Sequence, residues 1–182
     1  KQQTVSNYCF YCDYLQKKGM LDQVRDFFEQ CGGPNGDVPH HNFDKAMPWP
    51  FAEEDYIDVV TGRVAREQLS RHPAEKPFYM KVSFCGPHKP YDAPQRYLDM
   101  FPLEQEDDFL LPEGQVIAQK DKEALWRQRR SSKAMIKLID DQIGEILRLL
   151  EKRGMMEDTL VLFTSDHGDM LGDHYLLQKG VP

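Results

Sequence analysis

The sequence predicts an α/β fold with a central, largely parallel sheet flanked by helices, and three observations carry that expectation. Leu160 to Phe163 is a run of four apolar residues, with Asp158 and Thr159 before it and a polar, glycine-containing turn after it. Such a run fits a strand buried on both faces. Phe78 to Phe84 is a second strand candidate, with Tyr79, Val82 and Phe84 as its bulky residues. Between them, Lys133 to Arg153 repeats Ile136, Ile139, Ile143, Ile146, Leu147 and Leu150 as one apolar stripe. A helix followed by a strand is half of a βαβ unit.

The remaining elements follow in chain order. Residues 1–32 read as helical, with Tyr14, Leu15, Met20, Leu21, Val24, Phe27 and Phe28 at helical spacing and a break at Gly19. Gly32-Gly33-Pro34-Asn35-Gly36 stops that pattern. Residues 33–52, with Pro34, Pro39, Pro48, Trp49 and Pro50, read as an irregular surface connection. Residues 53–71 read as a helix. Glu53, Glu54 and Asp55 open it, Tyr56, Val59, Val60, Val64 and Leu69 form its apolar side, and His72-Pro73 ends it. Residues 99–132 give no clear period. Their acidic stretch Glu104 to Asp108 and their Arg127, Arg129 and Arg130 read either as a solvated face or as a place for an anionic substrate. Gly154 suits the end of the long helix, where positive φ is needed.

Composition sets bounds. A chain of 182 residues is long enough for one domain with a real core. A net charge of -7 argues against a nucleic-acid partner, which needs clustered positive charge. No apolar run approaches the roughly 20 residues of a membrane span. Lys1-Gln2-Gln3-Thr4 is not followed by the apolar segment of a signal peptide. The four cysteines are too scattered for a disulfide scaffold. Cys9 and Cys12, with Cys31, His40 and His41 after them, are a weak zinc alternative that lacks the spacing of a second ligand pair. Cys85 reads as a small buried residue at a strand end.

Chemistry concentrates in two turns. Thr164-Ser165-Asp166-His167-Gly168-Asp169 follows the 160–163 run, with Asp173, His174 and Lys179 close behind. In open α/β sheets ligands bind beyond the carboxyl ends of strands, so a metal or oxyanion site competes here with a plain polar turn. Cys85-Gly86-Pro87-His88-Lys89-Pro90 follows the other strand candidate. A parallel sheet would bring both histidine-bearing turns to one edge. Asp140 and Asp141 are adjacent on a helix and do not share a face, so they read as structural rather than as an acid–base pair.

The run T-S-D-H-G-D-M-L-G-D-H followed by Lys179-Gly180 resembles a signature region of the sulfatases, in the alkaline-phosphatase superfamily. Lys76-Pro77-Phe78, the H-x-P turn at His88, then Pro94, Tyr97 and Leu98, and Ile139-Asp140-Asp141-Gln142-Ile143-Gly144 are similar to the same family. The resemblance is close over 53–182 and loose over 1–52, and it makes the chain the central part of a single sulfatase catalytic domain. It implies that Asp166 and His167 ligate a divalent cation. Calcium is the family's usual ion, and the imidazole keeps zinc or manganese as alternatives. It implies that Lys179 binds the sulfate, and that His88 binds sulfate or protonates the leaving alcohol. Asp173 and His174 are either outer groups around the metal or residues of a solvated turn.

The family's nucleophile is a formylglycine made from the first residue of a C/S-x-P-x-R motif, and the sequence contains no such motif. Cys85-Gly86-Pro87-His88-Lys89 imitates it, but lysine replaces the arginine and the tract already matches the H-x-P region. The nucleophile is therefore expected outside this chain. The implied activity is hydrolysis of a sulfate ester on a small molecule or carbohydrate. The alternatives are a phosphonate monoester hydrolase or phosphodiesterase of the same superfamily, and an inactive fragment or binding module. If the protein is like many sulfatases it is periplasmic or secreted, and the sequence leaves its compartment open.

Overall fold

The computed structural model describes residues 10–31, 46–103, 109–177 and 179. The elements are α1 (Phe10–Lys18), α2 (Leu21–Gln30), a 3-10 turn at Glu53–Asp55, α3 (Ile57–Arg71), α4 (Gln95–Leu98), α5 (Gln119–Lys152) and a second 3-10 turn at Asp173–Tyr175. Gly19 adopts φ +69° between α1 and α2, the break its position predicts.

The long helix α5 is the axis of the structure, and it starts at Gln119 rather than at Lys133. Its buried face explains why the sequence hides its first half. Leu125, Gln128, Ser131, Ser132, Ala134, Met135, Leu138 and Gln142 are all buried, so polar residues interrupt the apolar period. Ile136, expected in the stripe, is exposed. The C-terminus of α5 follows its sequence. Gly154 takes φ +66°, its N–H bonds Glu151 O and the N–H of Met155 bonds Leu150 O, both at 2.9 Å. The Leu150 and Met155 side chains then share one apolar cluster with Leu69.

Helix α3 lies against α5 at close range. A Cβ on Gly62 would come within 2.5 Å of Gln142 Oε1, so only glycine permits this approach. Arg66 Nη1 donates to the same Gln142 oxygen at 3.0 Å. At the far end, Arg153, the residue that follows α5, donates to the carbonyls of Leu69 and His72, tying the two helix C-termini together.

Trp49 departs from the expected surface connection, because it is a buried aromatic hub. Its ring meets Phe51 at 5.0 Å and Tyr56 at 5.4 Å, and it meets Phe27 of α2 edge-on at 5.7 Å. Burial of so much aromatic area favours docking of α1 and α2 onto the α3–α5 pair. The polar side of that docking is Lys18 Nζ to Asp55 Oδ1 at 2.6 Å and the Tyr11 hydroxyl to Asp55 O at 2.7 Å.

Among the described residues no segments pair as a sheet, and one isolated parallel bridge joins Trp49 to Pro94. Residues 78–85 nevertheless alternate with period two. Phe78, Met80, Val82 and Phe84 are half-buried, while Tyr79, Lys81, Ser83 and Cys85 are exposed. That is the side-chain pattern of a strand with one face on the helices and the other open. Cys85 is thus on the open face, not buried as its sequence context suggests. Residues 160–163 differ more sharply from expectation: Leu160 is 94% exposed and Phe163 77%. A strand buried on both faces needs a layer on each, and no described residue supplies one here.

Candidate active site

The His88 turn is built from beneath by α3. Asp58, in the first turn of that helix, is fully buried and accepts the backbone N–H of Cys85 at 2.7 Å and of Gly86 at 3.0 Å. Burial pushes the Asp58 carboxyl up from its ordinary range, and those two hydrogen bonds pull it part of the way back. A Cβ on Gly86 would lie 2.7 Å from Asp58 Oδ2, so the turn and the carboxylate fit only with glycine there. On this base His88 is exposed, and its Nδ1 lies 2.8 Å from Lys89 O. Donation from Nδ1 to that carbonyl leaves Nε2 of the neutral ring with its lone pair for a ligand.

The chain then turns inward. Tyr91, Asp92, Ala93 and Pro94 are all buried. Asp92 accepts the Tyr56 hydroxyl at 2.9 Å, and burial pushes its carboxyl up to about 7.

The Asp166 turn is held mainly by its own backbone. Asp166 Oδ1 accepts the N–H of His167 at 2.9 Å, and Ser165 Oγ donates to His167 O at 2.7 Å. His167 repeats the arrangement of His88, with Nδ1 2.8 Å from Gly168 O. Its Nε2 lies 3.5 Å from Asp166 Oδ2. Two donors on one cation stand roughly 3–4 Å apart, because each metal bond is about 2.0–2.6 Å long. The pair therefore fits a divalent cation as two members of a larger set. Among the described residues no group of three His, Cys, Asp or Glu side chains could hold a metal, so the remaining donors are not in this set of residues.

The segment after the turn is fastened to α5. Arg129 donates through Nε to Leu171 O at 2.8 Å and through Nη2 to Asp173 Oδ1 at 2.7 Å, and its guanidinium lies 4.1 Å from the Phe109 ring centroid. Asp173 Oδ1 also accepts the N–H of Leu110 at 3.0 Å, and the N–H of His174 donates to Leu110 O at 2.6 Å. Asp173 thus has a cation and an N–H as partners. His174 is exposed, and so is Lys179.

The other sequence candidates are placed as follows. Arg130 donates to Phe101 O at 2.6 Å and to Leu98 O at 2.9 Å, so with Arg129 it binds backbone carbonyls. Arg127 faces Glu123 at 3.9 Å. Asp140 and Asp141 both face Lys137 within α5, and Asp141 also accepts the hydroxyl of Tyr97 from α4. Cys12 and Cys31 are buried in the core, while Cys9, His40, His41 and the acidic stretch 104–108 lie outside the described residues.

Sequence reasoning missed Asp58, Tyr91 and Asp92, and it read Arg129 as a solvated residue or an anion contact rather than as a fastening of the 171–173 segment. Asp58 had a signal, since it is the one charge inside Tyr56-Ile57-Asp58-Val59-Val60, where an apolar residue would be ordinary. Tyr91 had none, and the partner of Arg129 had none, because these contacts span 78 and 42 residues.

The chain is similar to known proteins over most of its length. The sulfatase family model matches residues 4–181. An arylsulfatase of Clostridium perfringens is 32% identical over 179 residues, covering 88% of this chain and 37% of that protein. A choline-sulfatase of Rhizobium meliloti is 34% identical over 136 residues, covering 62% of this chain and 26% of that protein. Among solved structures, the phosphonate monoester hydrolase of Agrobacterium radiobacter superposes with a TM-score of 0.72 at 24% identity, over 94% of this chain and 38% of that one. The chain shares that fold, and it spans well under half the length of each of these proteins.

Proposed function

The chain belongs to the sulfatase family, and we propose that it carries part of the active site of a sulfuric ester hydrolase. The observation that carries this reading is the pair of matching turns. His88 and His167 each commit Nδ1 to a neighbouring carbonyl, which leaves Nε2 for a ligand, and His167 sits beside a carboxylate at a spacing suited to one cation.

In this reading Asp166 and His167 hold the divalent cation, with calcium the first expectation and zinc or manganese the alternatives. The bound ion would offset negative charge developing on the sulfate. Lys179 contributes a positive charge to a sulfate oxygen. As an imidazolium, with Nδ1–H on Lys89 O, His88 binds a sulfate oxygen through Nε2–H or donates that proton to the departing alcohol. The formylglycine nucleophile comes from sequence outside this chain. Asp173, paired with Arg129, keeps the loop that follows Asp169 against α5. His174 is at the same loop and is the weaker candidate for a group near the metal. The substrate is a sulfated small molecule or carbohydrate, in keeping with the arylsulfatase and choline-sulfatase likenesses. No described helix is long and apolar enough to cross a membrane.

The open face of 78–85 and the exposed apolar run 160–163 belong to the same proposal. Both are strands of a largely parallel sheet, and the layers that cover them come from sequence outside this chain. The period-two burial of 78–85 and the exposure of Tyr79, Leu160, Leu162 and Phe163 support it.

A phosphoryl hydrolase is the second reading, because the superposed structure is a phosphonate monoester hydrolase and fold alone does not select the reaction. Rates of the full-length protein on an aryl sulfate and an aryl phosphodiester separate the two. A clear preference for the sulfate is expected, and the reverse preference would replace this reading with the second.

A further inference from the structure

Each histidine-bearing turn is stabilised within itself, yet a joint site needs the two held in fixed relation. One contact does this directly: the Tyr91 hydroxyl donates to Asp169 Oδ2 at 3.0 Å, across 78 residues of sequence. Tyr91 is 2% exposed, and its ring packs in the main core with Trp49, Tyr56 and Tyr97. Its hydroxyl is therefore carried on a rigid base, three residues after His88. Asp169 lies three residues after Asp166 and two after His167. Its other oxygen, Oδ1, accepts the N–H of Leu171 at 3.0 Å, and Leu171 O is in turn held by Arg129 of α5. Both oxygens of Asp169 thus have protein donors. The carboxylate spans from the core-mounted tyrosine to the loop fastened on the long helix.

We propose that Tyr91 and Asp169 form a clasp that sets the Asp166–His167 pair relative to His88, so that both are positioning residues for the metal site. This rests on the reading of Asp166 and His167 as metal ligands. A ligating group is only as well aimed as the turn that carries it, and loss of an outer partner that orients a ligand typically weakens metal binding about 10–100-fold. Asp169, with both oxygens engaged, acts through geometry rather than as a further ligand.

The test uses metal-stripped full-length protein titrated with Ca²⁺, Mn²⁺ and Zn²⁺ by calorimetry, together with amide exchange over residues 164–171. Tyr91→Phe keeps the ring in the core and removes only the hydroxyl. The expected result is about 10-fold weaker binding of the preferred ion, faster exchange confined to 164–171, and an unchanged unfolding midpoint. Asp169→Ala should weaken binding at least as much, and adding Tyr91→Phe to it should change nothing further. Unchanged affinity in Tyr91→Phe, or additive losses in the double variant, would overturn the clasp. Asp166→Ala separates the two levels. If it loses the ion while Tyr91→Phe does not, the clasp alone is wrong. If Asp166→Ala binds the ion normally, or if wild type binds none of the three, the metal-site reading fails and the clasp with it.

Discussion

The two histidine-bearing turns present the same kind of group in the same local arrangement, yet they are supported in different ways. The His88 turn rests on a fully buried carboxylate of α3 that takes two of its N–H groups. The Asp166 turn is stabilised largely by bonds between its own residues and reaches the rest of the molecule through Tyr91 and Arg129. The first is part of the core's polar structure and persists whether or not a ligand is present. The second follows a run, 160–163, whose apolar side chains are exposed in this chain. Its shape depends on few contacts, and a bound cation would add to them directly.

The largest test of that difference removes one carboxylate from each turn. Asp58→Ala empties a fully buried carboxylate site and leaves the N–H groups of Cys85 and Gly86 without their acceptor, and should lower unfolding stability by about 2–5 kcal/mol in denaturant titration. Asp169→Ala, whose site is half-exposed, should cost about 1 kcal/mol or less. Equal costs would show that the two turns are supported alike.

The pH dependence of stability sharpens the same point on the core side. Asp92 has its carboxyl raised to about 7 by burial, against about 3.9 in an unfolded chain. Between those values the native state holds a proton that the unfolded state has released. Wild-type stability should therefore fall as pH rises from about 4 to about 7 and level off above that. Asp92→Asn keeps an acceptor for Tyr56 and removes the titration, so the wild-type curve should lose about 1–4 kcal/mol across this window relative to the variant. Parallel curves would mean that Asp92 stays ionised in the fold.

The smallest effect on stability belongs to His88→Ala. Its side chain is exposed and bonds only the adjacent carbonyl, so stability should change by less than about 0.5 kcal/mol. Turnover of a sulfate ester by the full-length enzyme should nevertheless fall by about 10²–10⁴-fold if the ring moves a proton. A stability loss as large as that of Asp58→Ala would make His88 a structural residue.

Much of the helical framework was legible. The break at Gly19, the helix ending at Arg71 and the Gly154 terminus all follow from residues whose backbone preferences are strong. The first half of α5 was not, because Gln128, Ser131 and Ser132 occupy its buried face and break the apolar period. Trp49 was misplaced for a related reason: prolines around it signal irregular backbone, and irregular backbone can still bury a large ring. The candidate site divides the same way. His88, Asp166, His167 and Lys179 stand in compact local patterns. Tyr91, Asp92 and Arg129 act through partners distant in sequence, and no local pattern announces such a contact.

Asp166 and His167 are proposed to hold the cation of a sulfuric ester hydrolase. This role is tested most directly by measuring bound divalent metal and aryl sulfate turnover together, in full-length wild type and Asp166→Ala. A tightly held ion is expected in wild type, with loss of both ion and turnover in the variant. An Asp166→Ala protein that keeps its metal and still cleaves the ester would contradict it.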